Sequence, residues 1–175
     1  MDQLNDLILR QEPDTFPKMF LSGDAWALQL ALWFEVLYEQ CVKPKQEQIV
    51  LVDGGFYKYF ARLCQNTSID LPLLKSLLHY HNKCDEVILL KIDPAICRTR
   101  CKNFTLTEIA PYDDAPKDYQ ASFISYQSRI YQTFEELSKV FQWDTISCFN
   151  KSIEDLALDV AVRIEEAVLR SWISK

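Results

Sequence analysis

Only three glycines, Gly23, Gly54 and Gly55, occur in 175 residues. Neither G-x-x-x-x-G-K-[ST] nor G-x-G-x-x-G can be assembled from them, which excludes a glycine-rich phosphate cradle within these residues. Histidine is scarcer still, at two. His79 and His81 lie two positions apart with Cys84 nearby. Such positions diverge on a helix, and a zinc site needs four ligands at consistent geometry, so no metal site is expected from the protein alone. The longest nearly apolar run, Ala25 to Phe34, is interrupted by Gln29. A bilayer takes about 20 residues to span, and no membrane partner is expected. Positive charge is in deficit, with 19 Lys and Arg against 25 Asp and Glu and a formal net charge of -6. Affinity for a phosphate backbone comes from cations, so nucleic acid is not an expected partner either.

What is present fits a globular chain: 49% hydrophobic and 25% charged residues. The length predicts one domain over residues 1–175 that buries roughly two-thirds of its extended surface. The start, MDQLNDLILRQEPD, has acids and no basic n-region, and reads as something other than a signal peptide. Cys41, Cys64, Cys84, Cys97, Cys101 and Cys148 are scattered through apolar segments. Together these features predict reduced, buried thiols and a cytoplasmic protein.

Residues 7–9 form a short apolar patch ahead of Arg10-Gln-Glu-Pro13, and the proline with Asp14-Thr15 reads as a loop. Asp24 to Val42 is helical and apolar on nearly every side, which predicts burial on most faces. Gln48-Ile-Val-Leu-Val-Asp53 is a buried-strand pattern closed by Gly-Gly. Helical spacing resumes over 56–65, where Phe56-Tyr-Lys-Tyr-Phe60 reads first as core packing. Asp70 caps a helix running to about Tyr80, with Pro72 in its first turn. Glu86 to Ile92 is a second strand closed by Asp93-Pro94, and the helix expected from Ala95 to Asn103 carries Arg98, Arg100 and Lys102. Residues 104–116 read as a loop, 117–141 as a long helix and 144–149 as a third strand. Ser152 with Asp155 is a capping box opening the last helix, whose stripe runs from Ile153 to Val168. Strands alternating with helices predict an α/β fold with a short, mainly parallel sheet, which places ligand chemistry at the carboxyl ends of its strands. Those ends carry Arg10-Gln-Glu-Pro13, Asp53-Gly-Gly55 and Asp93-Pro94.

In order, these segments resemble the thymidylate kinase and deoxynucleoside kinase superfamily of P-loop proteins. Leu7-Ile-Leu-Arg-Gln-Glu-Pro13 is similar to the second strand and R-E-P-G segment of thymidylate kinases, with Gln11 inserted and Asp14 in place of glycine. Asp24 to Pro44 resembles the long helix that crosses the acceptor pocket. Gln48 to Asp53 resembles the strand ending in D-R-[YS], and Glu86 to Asn103 the next strand, its D-P-x turn and the arginine-bearing lid helix. The likeness covers residues 7–170 and rests on element order rather than on one specific motif.

The resemblance implies a three-layer α/β/α domain and transfer of a phosphoryl group from ATP–Mg²⁺ to a nucleoside monophosphate. It implies a metal-side catalytic role for Asp53 and acceptor-side roles for Arg10 and Glu12. Gln29 would bind the base, with Glu35 on the same helix of similar standing, and Arg98, Arg100 and Lys102 would form the phosphate lid. Some family members dimerise through helices like 24–42, which makes a homodimer or a partner at an exposed sheet edge a further expectation. Two departures accompany the likeness. The family's first strand, P-loop and helix take roughly 30 residues, and only six precede Leu7 here. Gly54 stands where the family's phosphate-binding arginine belongs, and Lys58 is the nearest substitute. Phosphoryl transfer depends on the cradle and its cations, so activity of these residues alone is expected to be impaired or absent. The expected alternatives are an interaction protein reusing the fold, or a shortened product of an active kinase gene.

The residues themselves keep plainer readings open. Asp53 also fits a turn residue, the basic helix a solvated charge run, Gln29 a buried amide with local partners, and Arg10 with Glu12 a surface pair. Trp26 and Trp33 read as core or interface aromatics. No Ser-His-Asp or Cys-His arrangement can be assembled.

Overall fold

A computed structural model of the chain describes residues 22–45, 48–101, 105, 108–109 and 118–173, with side chains described as far as Arg170. The fold is mixed α/β and mostly helical, and the described residues divide into two compact units.

Among the described residues, the first unit holds three α-helices. Helix α1 (Gly23–Leu37) begins at Ser22, whose Oγ accepts the Ala25 amide at 3.2 Å. It loosens into a π turn, Tyr38–Val42, before Lys43–Lys45 closes it at Pro44. Helix α2 (Gly55–Leu63) buries Phe56, Tyr57, Phe60, Ala61 and Leu63, so the aromatic run is core. Helix α3 (Leu71–His81) opens at the expected Asp70 cap, which accepts the Leu73 amide at 3.3 Å, and it buries Leu74 and Leu78. Pairwise packing of these helices forms the unit's core. The starts of α1 and α3 are tied together where the Asp70 amide donates to Asp24 Oδ1 at 2.7 Å. Their approach is close enough that a Cβ on Gly23 would sit 2.5 Å from Ile69 Cγ1, so glycine is required there.

Helix α1 buries Ala27, Leu30 and Ala31 and holds most of its other residues half-buried, while Leu28 and Leu32 are exposed, so the expected burial on most faces is met in part. One expectation fails in this unit. Residues 48–53 do not form a strand. Ile49, Leu51 and Val52 are 63%, 73% and 51% exposed, and none of them joins the sheet. An apolar, β-branched run becomes a strand only when a neighbour satisfies its backbone ladder, and no described segment does so.

The second unit is an α/β layer. Strand β1 (Ile88–Lys91) pairs in parallel with β2 (Asp144–Ser147), with Ile88 opposite Asp144 and Lys91 opposite Ser147. A parallel pair needs a crossover, supplied by α4 (Pro94–Arg100) and α5 (Tyr119–Val140), which pack on each other. Helix α5 turns Phe123, Tyr126, Ile130 and Leu137 inward from the expected three-and-four spacing. Lys91 Nζ lies 2.6 Å from Glu135 Oε1, joining β1 to α5. Helix α6 (Ile153–Ile173) follows β2 and opens on the expected capping box: Ser152 Oγ accepts the Asp155 amide at 3.0 Å, and the Ser152 amide donates to Asp155 Oδ2 at 3.3 Å. None of the six cysteines is in a disulfide, and only Cys148 is buried; Cys41 and Cys84 are exposed, contrary to the expectation of buried thiols throughout.

Candidate functional site

The Asp53 turn is built by two glycines with positive φ. The Gly55 amide donates to the Asp53 carbonyl at 2.8 Å, and Gly54 between them has φ 70° and ψ −30°. This is a γ-turn of the positive-φ type, which L side chains strain to adopt. Gly55 follows at φ 47° and starts α2. The Asp53 carboxylate is exposed at the turn, and the Lys58 stem folds back across it. A Cβ on Gly54 would lie 3.2 Å from Lys58 Cδ and 3.4 Å from Lys58 Cβ. Glycine at position 54 thus has a local cause. The backbone at position 54 demands glycine, and the space beside it is occupied by the stem of a cation one turn along α2.

Elsewhere in the first unit, Gln29 lies on α1 with its Oε1 buried and without a hydrogen-bond partner among the described residues. A buried carbonyl oxygen left unsatisfied is uncommon and calls for a reason, a bound donor being one. Glu35, also on α1, approaches His81 on α3, with Oε2 3.9 Å from Nδ1. The His81 side chain is 5% exposed, and its ring lies 4.8 Å from that of Phe56, which in turn meets Phe34 edge-on. His81 is therefore held in an aromatic wall beside a carboxylate, a pairing between residues 46 apart in the chain that sequence spacing alone does not reveal.

In the second unit, the Asp93-Pro94 turn starts α4 at the carboxyl end of β1. Asp93 Oδ1 accepts the Ala95 amide at 2.7 Å, so this carboxylate caps a helix. Arg98 is half-buried and donates from Nη1 to the Cys101 carbonyl at 3.0 Å, closing the C-terminus of α4. Arg100 is exposed. Helix α4 ends at Arg100, and Cys101 is already extended, with φ −86° and ψ 125°. The expected helix to Asn103 is thus shortened, and no continuous α4 face joins Arg98 to position 102. Lys102, Arg10 and Glu12 lie outside the described residues.

At the carboxyl end of β2, burial pushes the Cys148 thiol above its ordinary range, while the charges of Arg100 and Lys151 pull it down more weakly. Lys151, which also pairs with Asp159, places a cation at a strand end that the sequence reading did not single out. Its only cue was its position just before the Ser152 cap.

Among the described residues, the glycines form no cradle for a triphosphate. Gly23 is packed against Ser68 and Ile69, and Gly54 with Gly55 is folded into the γ-turn, so these glycines offer no amide cradle for donor phosphates. Compared with models of known protein families and with curated proteins, the chain matches none.

Proposed function

We propose that the chain is a nucleotide kinase-like protein that retains acceptor-side and lid elements for a nucleoside monophosphate, on a P-loop-kinase-like α/β plan. The observation that carries this reading is a device found in both units. A turn led by aspartate opens a helix bearing a cation five residues on: Asp53 with Lys58 on α2, and Asp93 with Arg98 on α4, with Asp70 and Lys75 on α3 repeating the spacing. An aspartate with a cation one turn into the following helix is a means of placing charge beside a small anionic ligand, and in the β1–α4 unit the turn lies at a strand's carboxyl end. The orphaned Gln29 oxygen supports a polar ligand group in the first unit, a base amine or amide being the matching donor.

In this reading Lys58 meets the acceptor phosphate as a point charge in place of a bidentate arginine, and recognition is accordingly weaker. Arg100 is the exposed lid cation, and Arg98 positions the end of α4. Transfer itself needs a phosphate cradle for ATP–Mg²⁺, which must come from residues other than these 175. The exposure of Leu90 on β1 agrees with a sheet whose further strands lie beyond those described, and Ile49, Leu51 and Val52 form a separate exposed run in the first unit. The same exposed run favours a second reading, an interaction protein in which a partner's strand or a second copy covers it.

Thermal shift separates these readings. A nucleoside monophosphate at 100 times its Kd adds about 2.7 kcal/mol of stability. Stabilisation by one or more monophosphates, with little from ATP–Mg²⁺ alone, is the expected pattern. No stabilisation by any nucleotide would remove the kinase-like reading and leave the interaction protein.

A further inference from the structure

Helix α6 carries a second apolar stripe that its own unit leaves uncovered. The inward side is made by Leu156, Val160 and Ile164, all partly buried, and the helix packs on β2. On the opposite side Leu158, Val162 and Leu169 are 67%, 51% and 56% exposed. Their positions, with Glu165 between, follow steps of four, three and four, the spacing of a helix–helix seam. At 100° per residue the same outer sector holds Glu154, Asp155, Glu165 and Glu166 and no lysine or arginine. Of the helix's own cations, Arg163 pairs with Glu166 at the edge of this sector at 2.9 Å, and Arg170 is engaged elsewhere, with Glu86 at 3.0 Å. Glu154 and Glu165 have no cation partner among the described residues.

We infer that the outer face of α6, formed by Leu158, Val162 and Leu169 between acidic margins, is a docking surface for an amphipathic helix of another protein, one with lysines and arginines flanking its own apolar stripe. Charge decides the occupant. A second copy would bring Glu154, Asp155, Glu165 and Glu166 against the same four acids, in a chain whose net charge is already -6. Like charges brought together across an interface oppose association, whereas opposite charges steer it and fix register. An anionic membrane or nucleic acid is repelled for the same reason. A basic helix meets the apolar stripe and neutralises both margins, which is the helix-on-helix mode of peptide recognition. This surface uses none of the residues assigned to the nucleotide and does not rest on the nucleotide reading.

The test is fluorescence anisotropy of the full chain with two labelled synthetic helical peptides, identical in their leucine stripe but flanked in one by lysines and in the other by glutamates. The lysine peptide is expected to bind at least about tenfold more tightly than the glutamate peptide, a difference that shrinks as salt rises past about 0.15 M. Val162→Lys is expected to weaken the lysine peptide about tenfold or more, and Glu165→Lys, a surface exchange that spares the fold, to weaken it while narrowing the preference between peptides. Circular dichroism checks that each variant is folded, and Leu169→Lys replaces Val162→Lys if the latter is not. Equal affinity for the two peptides, or indifference to both substitutions, overturns the inference. So does a concentration-dependent dimer in sedimentation that Val162→Lys dissolves, since a second copy would then cover the face.

Discussion

Replacing Gly54 by alanine has an outcome whose sign is set by the γ-turn. At an ordinary helix-compatible site Gly→Ala stabilises by about 0.4–1 kcal/mol, because it narrows the unfolded ensemble. At Gly54, with φ 70°, an L side chain is strained by about 1–3 kcal/mol. The new Cβ also meets Lys58 Cδ at 3.2 Å, but that neighbour is a flexible methylene that can swing aside, so the backbone supplies most of the penalty. Urea denaturation of wild type, Gly54→Ala and the double variant Gly54→Ala/Lys58→Ala measures this. The single variant is expected to lose about 1–3 kcal/mol with an unchanged m value. The double variant should recover only a small part of the loss beyond what Lys58→Ala does alone. For a chain of this length the loss corresponds to a fall in Tm of roughly 2–4 °C per kcal/mol. A neutral or stabilised Gly54→Ala would refute the turn geometry, and with it the explanation of why glycine occupies this position.

Three further outcomes follow from the packing and charges. Leu74→Ala, at a fully buried position on α3, is expected to lose about 2–5 kcal/mol in urea unfolding, whereas the exposed Leu32→Ala should stay within about 0.5 kcal/mol. In the Lys91–Glu135 pair, the hydrogen bond between the partners is the leading cause that raises the Lys91 ammonium and lowers the Glu135 carboxyl from their usual ranges. A lowered carboxyl stabilises above its unfolded value and loses that contribution as pH falls through the lowered one; a raised ammonium stabilises below its unfolded value and loses it as pH rises through the raised one. The stability difference between wild type and Glu135→Gln is therefore expected to be flat from about pH 6 to 9 and to shrink below about pH 4, and an unchanged difference at pH 3 would contradict it. Finally, mass spectrometry after brief iodoacetamide treatment at pH 8 should find Cys41 and Cys84 alkylated and Cys148 spared until denaturant is added, since burial both shields the thiol and disfavours its thiolate.

Features set by near neighbours in the chain were legible in the sequence. The Asp70 cap, the Asp93-Pro94 helix start and the Ser152–Asp155 box each join residues within three positions, so local chemistry decides them. The long α5 helix was legible for a similar reason, its apolar residues recurring on one face. Run 48–53 failed because its pattern describes a strand that would be stable with neighbours, and strand formation depends on those neighbours. Helix α4 stops short of Asn103, where Arg98 closes its end on the Cys101 carbonyl, a local use of a side chain that the resemblance assigned to a phosphate. At the candidate site, the types and order of Asp53, Gly54 and Lys58 were readable, but the γ-turn that makes glycine necessary was not. The Glu35–His81 approach and the Lys91–Glu135 pair, separated by 46 and 44 positions, lay beyond any local pattern.

The central claim is that the Asp53 turn and Lys58 seat the phosphate of a nucleoside monophosphate. Calorimetric titration of the chain with the monophosphate that stabilises it best, repeated with Lys58→Ala, tests this most directly. Saturable one-site binding that Lys58→Ala weakens about tenfold, with the unfolding midpoint of the free protein little changed, is the predicted result. Absence of saturable heat, or binding equally tight in Lys58→Ala, would contradict it.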